Sequence, residues 1–466
     1  MEKKTRNEIN DKTKVLGRRE FLKIVGAGTA GLALAGLGGC SGSTTTERVI
    51  PTDQMTYRID PRNGNRLSLL GYGMMRLPLV QRRRGESLPG ENDIDQEAVN
   101  NLVDFAIAHG VNIFDTSPVY SKGFSEIATG EALSRHPRDK YHISTKMSNS
   151  RGNYRGREES LNMYYKSFEN LRVDYIDYYL AHNVGNHGSF KERFIDNGIL
   201  DFLFKEKEAG KVRNIGWSFH GSGEFFEHSL NEYPWDFVLI NLNYLNWSRE
   251  SMSSSDVSSE WLHEMLAAKN MPIWIMGPLM GGGLSMVHHK ARELMVQSNQ
   301  EASAASWGFR FAGGLPNVVT VLSGMTFMDH LKDNIHTFSP FIPLSNEEKA
   351  MLLDTIAQIA HEYRNINCTR CQYCMPCPYG LDIPGIFTHY NRSMNEGNYP
   401  VDRQSEDFKR ARRAFLLGMD RNVSPLRQAN RCTNCRLCVS SCPQRINIPS
   451  EMRRIDGFVE ELKAVV

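Results

Sequence analysis

Beyond its first forty residues, this 466-residue sequence has no apolar run long enough for a spanning helix, which excludes a membrane-embedded body. It has almost no excess charge: a net +2 on so long a chain leaves no electrostatic footprint for nucleic acid as a main partner. It carries no separate fingerprint for a flavin, the group that would convert two-electron into one-electron chemistry. Cysteine is missing from the whole stretch between Cys40 and Cys368. What remains is a chain, 40% apolar, long enough for a barrel-sized domain and a smaller one, with eight of its nine cysteines crowded near the C-terminus.

Those eight fall in two runs, Cys368, Cys371, Cys374, Cys377-Pro378 and Cys432, Cys435, Cys438, Cys442-Pro443. The second reads C-x2-C-x2-C-x3-C-P; the first has only Met375 and Pro376 before its last cysteine. Three thiolates one short turn apart clasp three corners of a cubane iron–sulfur cluster, and the proline turns the chain away. Zinc knuckles and disulfides are the competing readings, but zinc sites separate two C-x2-C pairs by a longer stretch and have no use for a third cysteine so soon. The runs resemble those of bacterial two-cluster ferredoxins, where the fourth thiolate comes from the other run. That resemblance implies two [4Fe-4S] clusters, one on Cys368, Cys371, Cys374 and Cys442 and the other on Cys432, Cys435, Cys438 and Cys377. The 54 residues between Cys377 and Cys432 include helix-like runs, Ile386 to Glu396 and Glu406 to Met419, which predict a small helical module over 366–466. Basic residues around it (Lys409, Arg410, Arg412, Arg413, Arg431, Arg436, Arg453 and Arg454) read first as helix solvation, and second as steering for an acidic redox partner.

The first forty residues read as a targeting segment. A basic start leads to Gly17-Arg18-Arg19-Glu20-Phe21-Leu22-Lys23 and a Gly/Ala-rich run, Ile24 to Gly39, resembling a twin-arginine export signal. Leu37-Gly38-Gly39-Cys40 resembles a lipoprotein cleavage box, with Cys40 as the lipidated residue and a polar tether over 41–54. This predicts an exported, periplasmic or envelope-anchored protein, with membrane contact only through Cys40; a chance dibasic start in a cytoplasmic protein is the alternative.

From Met55 to about Pro340 apolar strand-like runs alternate with amphipathic helix-like ones. Eight candidate strands stand out: Leu67 to Leu70, Val111 to Asp115, His142 to Lys146, Ile176 to His182, Val212 to Ser218, Val238 to Leu242, Ile273 to Met276 and Val318 to Ser323. Helical stretches such as Ile94 to His109, Glu158 to Leu171 and Glu260 to Ala268 lie between them. Eight such units predict an α/β fold, a (β/α)8 barrel over 55–340 whose chemistry sits at the C-terminal ends of the strands. A connecting helix, Asn346 to Tyr363, is expected within 341–365, between barrel and cysteine module.

Functional-looking residues do follow those runs. Gly110-Val111-Asn112-Ile113-Phe114-Asp115-Thr116-Ser117-Pro118-Val119-Tyr120 is followed by Glu126 and Gly130-Glu131-Ala132-Leu133. Ser144-Thr145-Lys146 and Leu180-Ala181-His182 end the next two strands. Gly210 to Ser218, Gly277-Pro278-Leu279-Met280-Gly281-Gly282, and Val321-Leu322-Ser323-Gly324 with Asn334 complete the series, after an opening Tyr57-Arg58 and Leu69-Leu70-Gly71-Tyr72-Gly73. Together these motifs, in order over about 280 residues, resemble the aldo/keto reductases, and with the tail they resemble that family's iron–sulfur branch.

The resemblance implies an oxidoreductase that interconverts a carbonyl and an alcohol with NAD(P)(H). Tyr120 would be the proton donor, Lys146 would stabilise its phenolate and lower its pKa, Asp115 would hold the lysine, and His182 would orient the carbonyl. The dinucleotide would meet Ser218, Asn241, Pro278, Leu279, Gly282, Ser323, Gly324 and Asn334. Two slots depart from the family: Leu239 stands where a glutamine is expected and Met276 where an aromatic would stack on nicotinamide. After Gly324 only His330 and Lys332 offer charge for a 2′-phosphate, so NAD and NADP stay undistinguished. The first functional reading is therefore an exported reductase of a small carbonyl or alcohol that passes electrons through the clusters to a redox protein. The second is an envelope electron-transfer protein whose barrel is an idle scaffold or binding module. Arg82-Arg83-Arg84 and the serine-rich Ser248 to Ser259 read as rim loops, the arginines also as a draw for an anionic substrate. Anaerobically purified protein should contain about eight iron atoms and about eight acid-labile sulfides per chain; stoichiometric zinc in their place would refute the cluster reading.

Overall fold

The computed structural model describes residues 50–80, 93–150, 156–248, 257–363 and 365–465. The targeting segment with Arg18, Arg19 and Cys40, the Arg82–Arg84 run and most of the serine-rich stretch lie outside them.

Ten strands are present among these residues. β1 (Tyr57–Ile59) and β2 (Arg66–Ser68) form an antiparallel hairpin. β3 (Leu70–Gly73), β4 (Ile113–Asp115), β5 (His142–Met147), β6 (Ile176–Val184), β7 (Val212–Phe219), β8 (Phe237–Asn241), β9 (Ile273–Met276) and β10 (Val318–Ser323) close into a parallel barrel in the order β10-β3-β4-β5-β6-β7-β8-β9. The strands are short and rich in β-branched and aromatic residues because both of their faces are covered, one by helices and one by the barrel interior.

That interior is packed. Tyr178, Phe237 and Trp274 form an aromatic trio with ring centroids 4.7 to 5.2 Å apart, and Leu67, Leu180, Leu239 and Val319 fill the space around it. The hairpin closes the N-terminal end: Asn65 Nδ2 donates to the Tyr178 hydroxyl at 2.8 Å and Asn63 Nδ2 to Asn214 Oδ1 at 2.8 Å. With one mouth plugged, chemistry is confined to the other.

Seven of the eight expected strands appear within a residue or two. The first is displaced. Leu67 belongs to the hairpin and fills the barrel floor, Leu69 N donates to Thr56 O at 2.9 Å, and the barrel strand begins only at Leu70. The expected connecting helix also differs in role. It runs from Asn346 to Glu362 with a π-type segment, Met351–Ile356, in the middle, and its Leu352, Ile356 and Ala357 are buried in the barrel's own core. Ser345 caps it through a reciprocal bond with Glu348, and Glu348 also pairs with Arg310 at 2.6 Å. It is thus a barrel helix, and the second core begins behind it. That core, built on helices Ile383–Asn395, Phe408–Asn422 and Ile448–Ala464 around Ile386, Phe387, Phe415 and Met452, contains no strand among the described residues. Three of the basic residues serve it directly: Arg412 bonds Leu462 O and Val465 O, Arg454 bonds Tyr390 and Glu451, and Arg410 bonds Asp407.

Helices on the barrel wall approach closely at Gly130. A Cβ there would stand 2.2 Å from Asn170 O and 2.7 Å from Leu171 Cα, both backbone atoms of helix Arg157–Leu171. Gly130→Ala should therefore cost roughly 1–3 kcal/mol of stability, read as a lower urea midpoint; an unchanged midpoint would mean that the two helices part freely.

Candidate functional site

The open mouth of the barrel gathers the expected tetrad. Asp115 ends β4, Lys146 lies near the end of β5, His182 lies in the last turn of β6, and Tyr120 follows β4 on a turn whose next two residues, Ser121 and Lys122, are left-handed. Lys146 Nζ donates to both Asp115 oxygens, at 2.7 and 2.6 Å, and to Thr116 O at 2.6 Å. All three ammonium hydrogens are thereby used. Ser144 Oγ donates to Asp115 Oδ1 at 2.7 Å as well. The Tyr120 ring centre lies 5.0 Å from Lys146 Nζ and meets the His182 ring edge-on at 6.0 Å.

The electrostatics differ from the expectation in one respect. Burial pushes the Tyr120 phenol well above its ordinary value, and Tyr373, Asp115 and Cys371 add to the rise. Lys146 is paired with Asp115; burial lowers the lysine itself while Asp115 and Glu126 oppose the drop. The phenol is held protonated, as a proton donor and not as a pre-formed phenolate.

Sequence reasoning missed the residues that hold the tetrad in place. Ser148 Oγ lies 2.5 Å from His182 Nδ1 and is bonded to Ser117 Oγ at 2.8 Å, which fixes the orientation of the imidazole ring. Ser148 stands one residue past the end of β5, beyond the strand's alternation, so no period marked it. Arg193, almost fully buried, grips the backbone behind the histidine through His182 O at 2.5 Å and Asn183 O at 3.0 Å. Nothing local marked it.

The expected dinucleotide slots are divided. Ser218 Oγ accepts from Asn183 N at 2.8 Å, and Asn334 Nδ2 donates to Ser323 Oγ at 3.0 Å, so each of these groups has a partner within the chain. Pro278 and Leu279 pack on Gly308, Leu239 is inside the barrel, and Met276 packs against that inner core. Asn241 Oδ1 is buried without a hydrogen-bond donor, which is what a carboxamide N–H2 would satisfy. The diphosphate end is covered. A Cβ on Gly281 would stand 2.1 Å from Thr369 O and 2.8 Å from Arg76 Nη2, one on Gly282 2.8 Å from Arg370 Nη2, and one on Gly324 3.3 Å from Arg76 Cδ.

Thr369 and Arg370 belong to the first cysteine run. Both runs carry left-handed residues at the same places, Arg370 and Gln372 in one, Asn434 and Arg436 in the other, and again three residues past the last cysteine, at Gly380 and Arg445. Such reversals turn successive backbone N–H groups inward and make an anion-holding nest; Arg370 N donates to Cys368 Sγ at 3.4 Å. The thiols group as the ferredoxin pattern implies. Cys368 and Cys374 couple with Cys371 and Cys442, whereas Cys438 couples with Cys435, Cys432 and Cys377. Cys368, Cys371, Cys374 and Cys442 line one cavity, walled by Ile383, Phe387 and Ile448. Burial pushes Cys368 up to about 11 and Cys374 up to about 12, so these groups become thiolates only against a cation. The eight cysteines form no disulfide, and among the described residues no three His, Cys, Asp or Glu close on a single ion, as a zinc knuckle requires. The donor set fits two polynuclear clusters with crossed fourth ligands. Accordingly Cys442→Ser should lose about half the iron, and the paramagnetic signal that disappears should match the one lost in Cys371→Ser; a match to Cys435→Ser would show the ligands uncrossed.

Comparison with known proteins agrees with this geometry. The model of the aldo/keto reductase family matches residues 69–356, and that of the 4Fe-4S dicluster domain matches residues 365–446. Among curated proteins, a probable aldo-keto reductase 1 of Glycine max is 32% identical over 194 residues, covering 40% of this chain and 51% of the relative. D-arabinose 1-dehydrogenase of Saccharomyces cerevisiae is 28% identical over 165 residues, 34% of this chain and 43% of the relative. L-galactose dehydrogenase of Arabidopsis thaliana is 24% identical over 253 residues, 52% of this chain and 78% of the relative. The first two matches span about half of the relatives' length. Of solved structures, an aldo-keto reductase from Bacillus halodurans in its holo form superposes with a TM-score of 0.51 at 20% identity, over 66% of this chain and 96% of that one, which speaks for the fold alone. With a closed barrel, a strand-end tetrad and a family model spanning residues 69–356 of 466, the chain belongs to the aldo/keto reductase family, with a 4Fe-4S dicluster domain behind its barrel.

Proposed function

We propose that the protein is an iron–sulfur oxidoreductase that interconverts a small carbonyl and its alcohol at Tyr120. The observation that carries this reading is the intact tetrad at the C-terminal mouth of the barrel, with Asp115, Lys146 and His182 buried and Tyr120 partly buried. A carbonyl oxygen that gains electron density at its carbon needs a proton and a fixed direction. Tyr120, kept protonated by burial, supplies the first. His182, locked by Ser148 and Arg193, supplies the second. Lys146 and Asp115 hold a neutral pair beneath the tyrosine, so that the site floor adds polarity without adding net charge. When bound, the clusters would supply one-electron transfer, with Cys368, Cys371, Cys374 and Cys442 holding one and Cys432, Cys435, Cys438 and Cys377 the other.

NAD(P)(H) is the cofactor that family membership suggests. Asn241 suits its carboxamide, but the covered Gly281, Gly282 and Gly324 leave its diphosphate no backbone to lie against, and no step here depends on it. The twin-arginine-like start and Cys40 support an exported, envelope-anchored location as part of the same reading, because that route carries proteins already folded around their cofactors. The reading of the barrel as an idle scaffold is favoured by Leu239 and Met276.

One assay separates the two. Full-length protein prepared without oxygen and offered NADPH and a reduced viologen in separate assays should reduce members of an aldehyde and ketone panel with at least one of the two donors. Tyr120→Phe should lower the rate by about 10²- to 10⁴-fold with iron content unchanged. Equal rates in the two proteins would remove Tyr120 as proton donor, and no turnover by the wild type with any substrate would favour the scaffold.

A further inference from the structure

The loop that carries Cys368, Cys371 and Cys374 does more than hold its cluster. It lies across the barrel mouth and is clamped there from both sides. Arg76, in the loop after β3, donates to Thr369 O, and its own carbonyl accepts from Thr326 Oγ1 at 2.9 Å, just past the end of β10. Arg370, from the cysteine run, donates to Gly281 O at 2.6 Å in the loop after β9. Further out, Asn395 Nδ2 donates to Met286 O, and Tyr363 stacks on His288 with ring centroids 3.7 Å apart. The segments thus gripped, after β9 and after β10, are the two between which the sequence places a dinucleotide's diphosphate.

The three glycines there are suited to a close neighbour, and each has one within the chain: Thr369 and Arg76 over Gly281, Arg370 over Gly282, Arg76 over Gly324. The remaining polar groups of the slot, Ser218, Ser323 and Asn334, are already bonded inside the protein. The same docking brings Cys371 and Tyr373 within electrostatic reach of Tyr120.

We propose that the Cys368–Cys374 loop, held by Arg76 and Arg370, occupies the place of the dinucleotide diphosphate, so that this barrel binds no NAD(P)(H) in that cradle and presents its tyrosine to the cluster-ligand loop directly. The inference rests on the carbonyl-reducing reading for its chemistry but not for its geometry. Turning a carbonyl into an alcohol takes two electrons and two protons. Without hydride, the electrons originate one at a time from two molecules of a reduced one-electron carrier protein, each of which is oxidised by one electron; one proton comes from Tyr120, which solvent reprotonates, and the other from solvent. Tyr373 is then a positioning residue between Cys371 and Tyr120, and Arg76 is a cation placed beside Cys368 and Cys371.

Two measurements on the full-length, cluster-loaded protein test this apart from turnover. Calorimetric titration with NADPH and with NADH should give no saturable heat; stoichiometric binding of either would overturn the proposal. In a redox titration followed by paramagnetic resonance, Arg76→Gln should shift one of the two cluster potentials to a more negative value and leave the other in place, with iron content unchanged. If neither potential moves, the clamp is not where the structure puts it and the proposal falls. Failure to reduce any carbonyl, with both of these results as expected, would instead count against the proposed function alone.

Discussion

At Gly281 two backbones meet with no side chain between them, and the relation of the cysteine module to the barrel depends on that closeness. Both Gly281 and Gly282 have positive φ, and the carbonyl of Thr369 lies where a β-carbon would be. The contact brings the Arg370 guanidinium near enough to disfavour the charge on Arg76: burial lowers Arg76 first, then Arg370 does, while Cys371 and Cys368 oppose the drop. Buried like charges side by side are costly unless a negative group faces them. Ligating thiolates are such a group, so the same contact that seats the loop also gives it an electrostatic reason to stay.

Underneath, the barrel supplies a rigid rim. The aromatic trio and the hairpin fill its lower half, and the strands end at nearly one level, so that residues far apart in sequence meet without any loop having to place them. Burying Lys146 is tolerable because Asp115, Thr116 and Ser144 satisfy the ion pair completely. The consequence is a quiet electrostatic floor beneath a protonated Tyr120.

Much of this was legible in the sequence. The strands could be read because residues covered on both faces form continuous apolar runs, and the tetrad because its members fall at the ends of those runs. Leu67 misled, since an apolar residue that plugs a barrel floor looks like one that belongs to its wall. The final barrel helix was taken for a connector because its amphipathic pattern does not say which core it faces. The resemblance to two-cluster ferredoxins implies the crossed ligand sets, and in the fold Cys442 lies near Cys368 and Cys374 and Cys377 near Cys438. Ser148, Arg193, Arg76 and Arg370 were not legible, since each matters through a backbone carbonyl or ring nitrogen that only the folded chain brings near. In place of the expected drop the Tyr120 pKa rises, because the fold buries the phenol, and no motif shows that burial.

The crossed grouping of thiols between the two cysteine runs leaves the tail with no separable halves. Cys442 closes the set begun at Cys368, and Cys377 joins the set begun at Cys432. An inorganic group held by either set would staple together stretches lying more than fifty residues apart, on either side of the helices Ile383–Asn395 and Phe408–Asn422. Loss of one staple frees an end that the other needs, so damage by oxygen at either site would spread to both and then to the mouth of the barrel that the first loop covers.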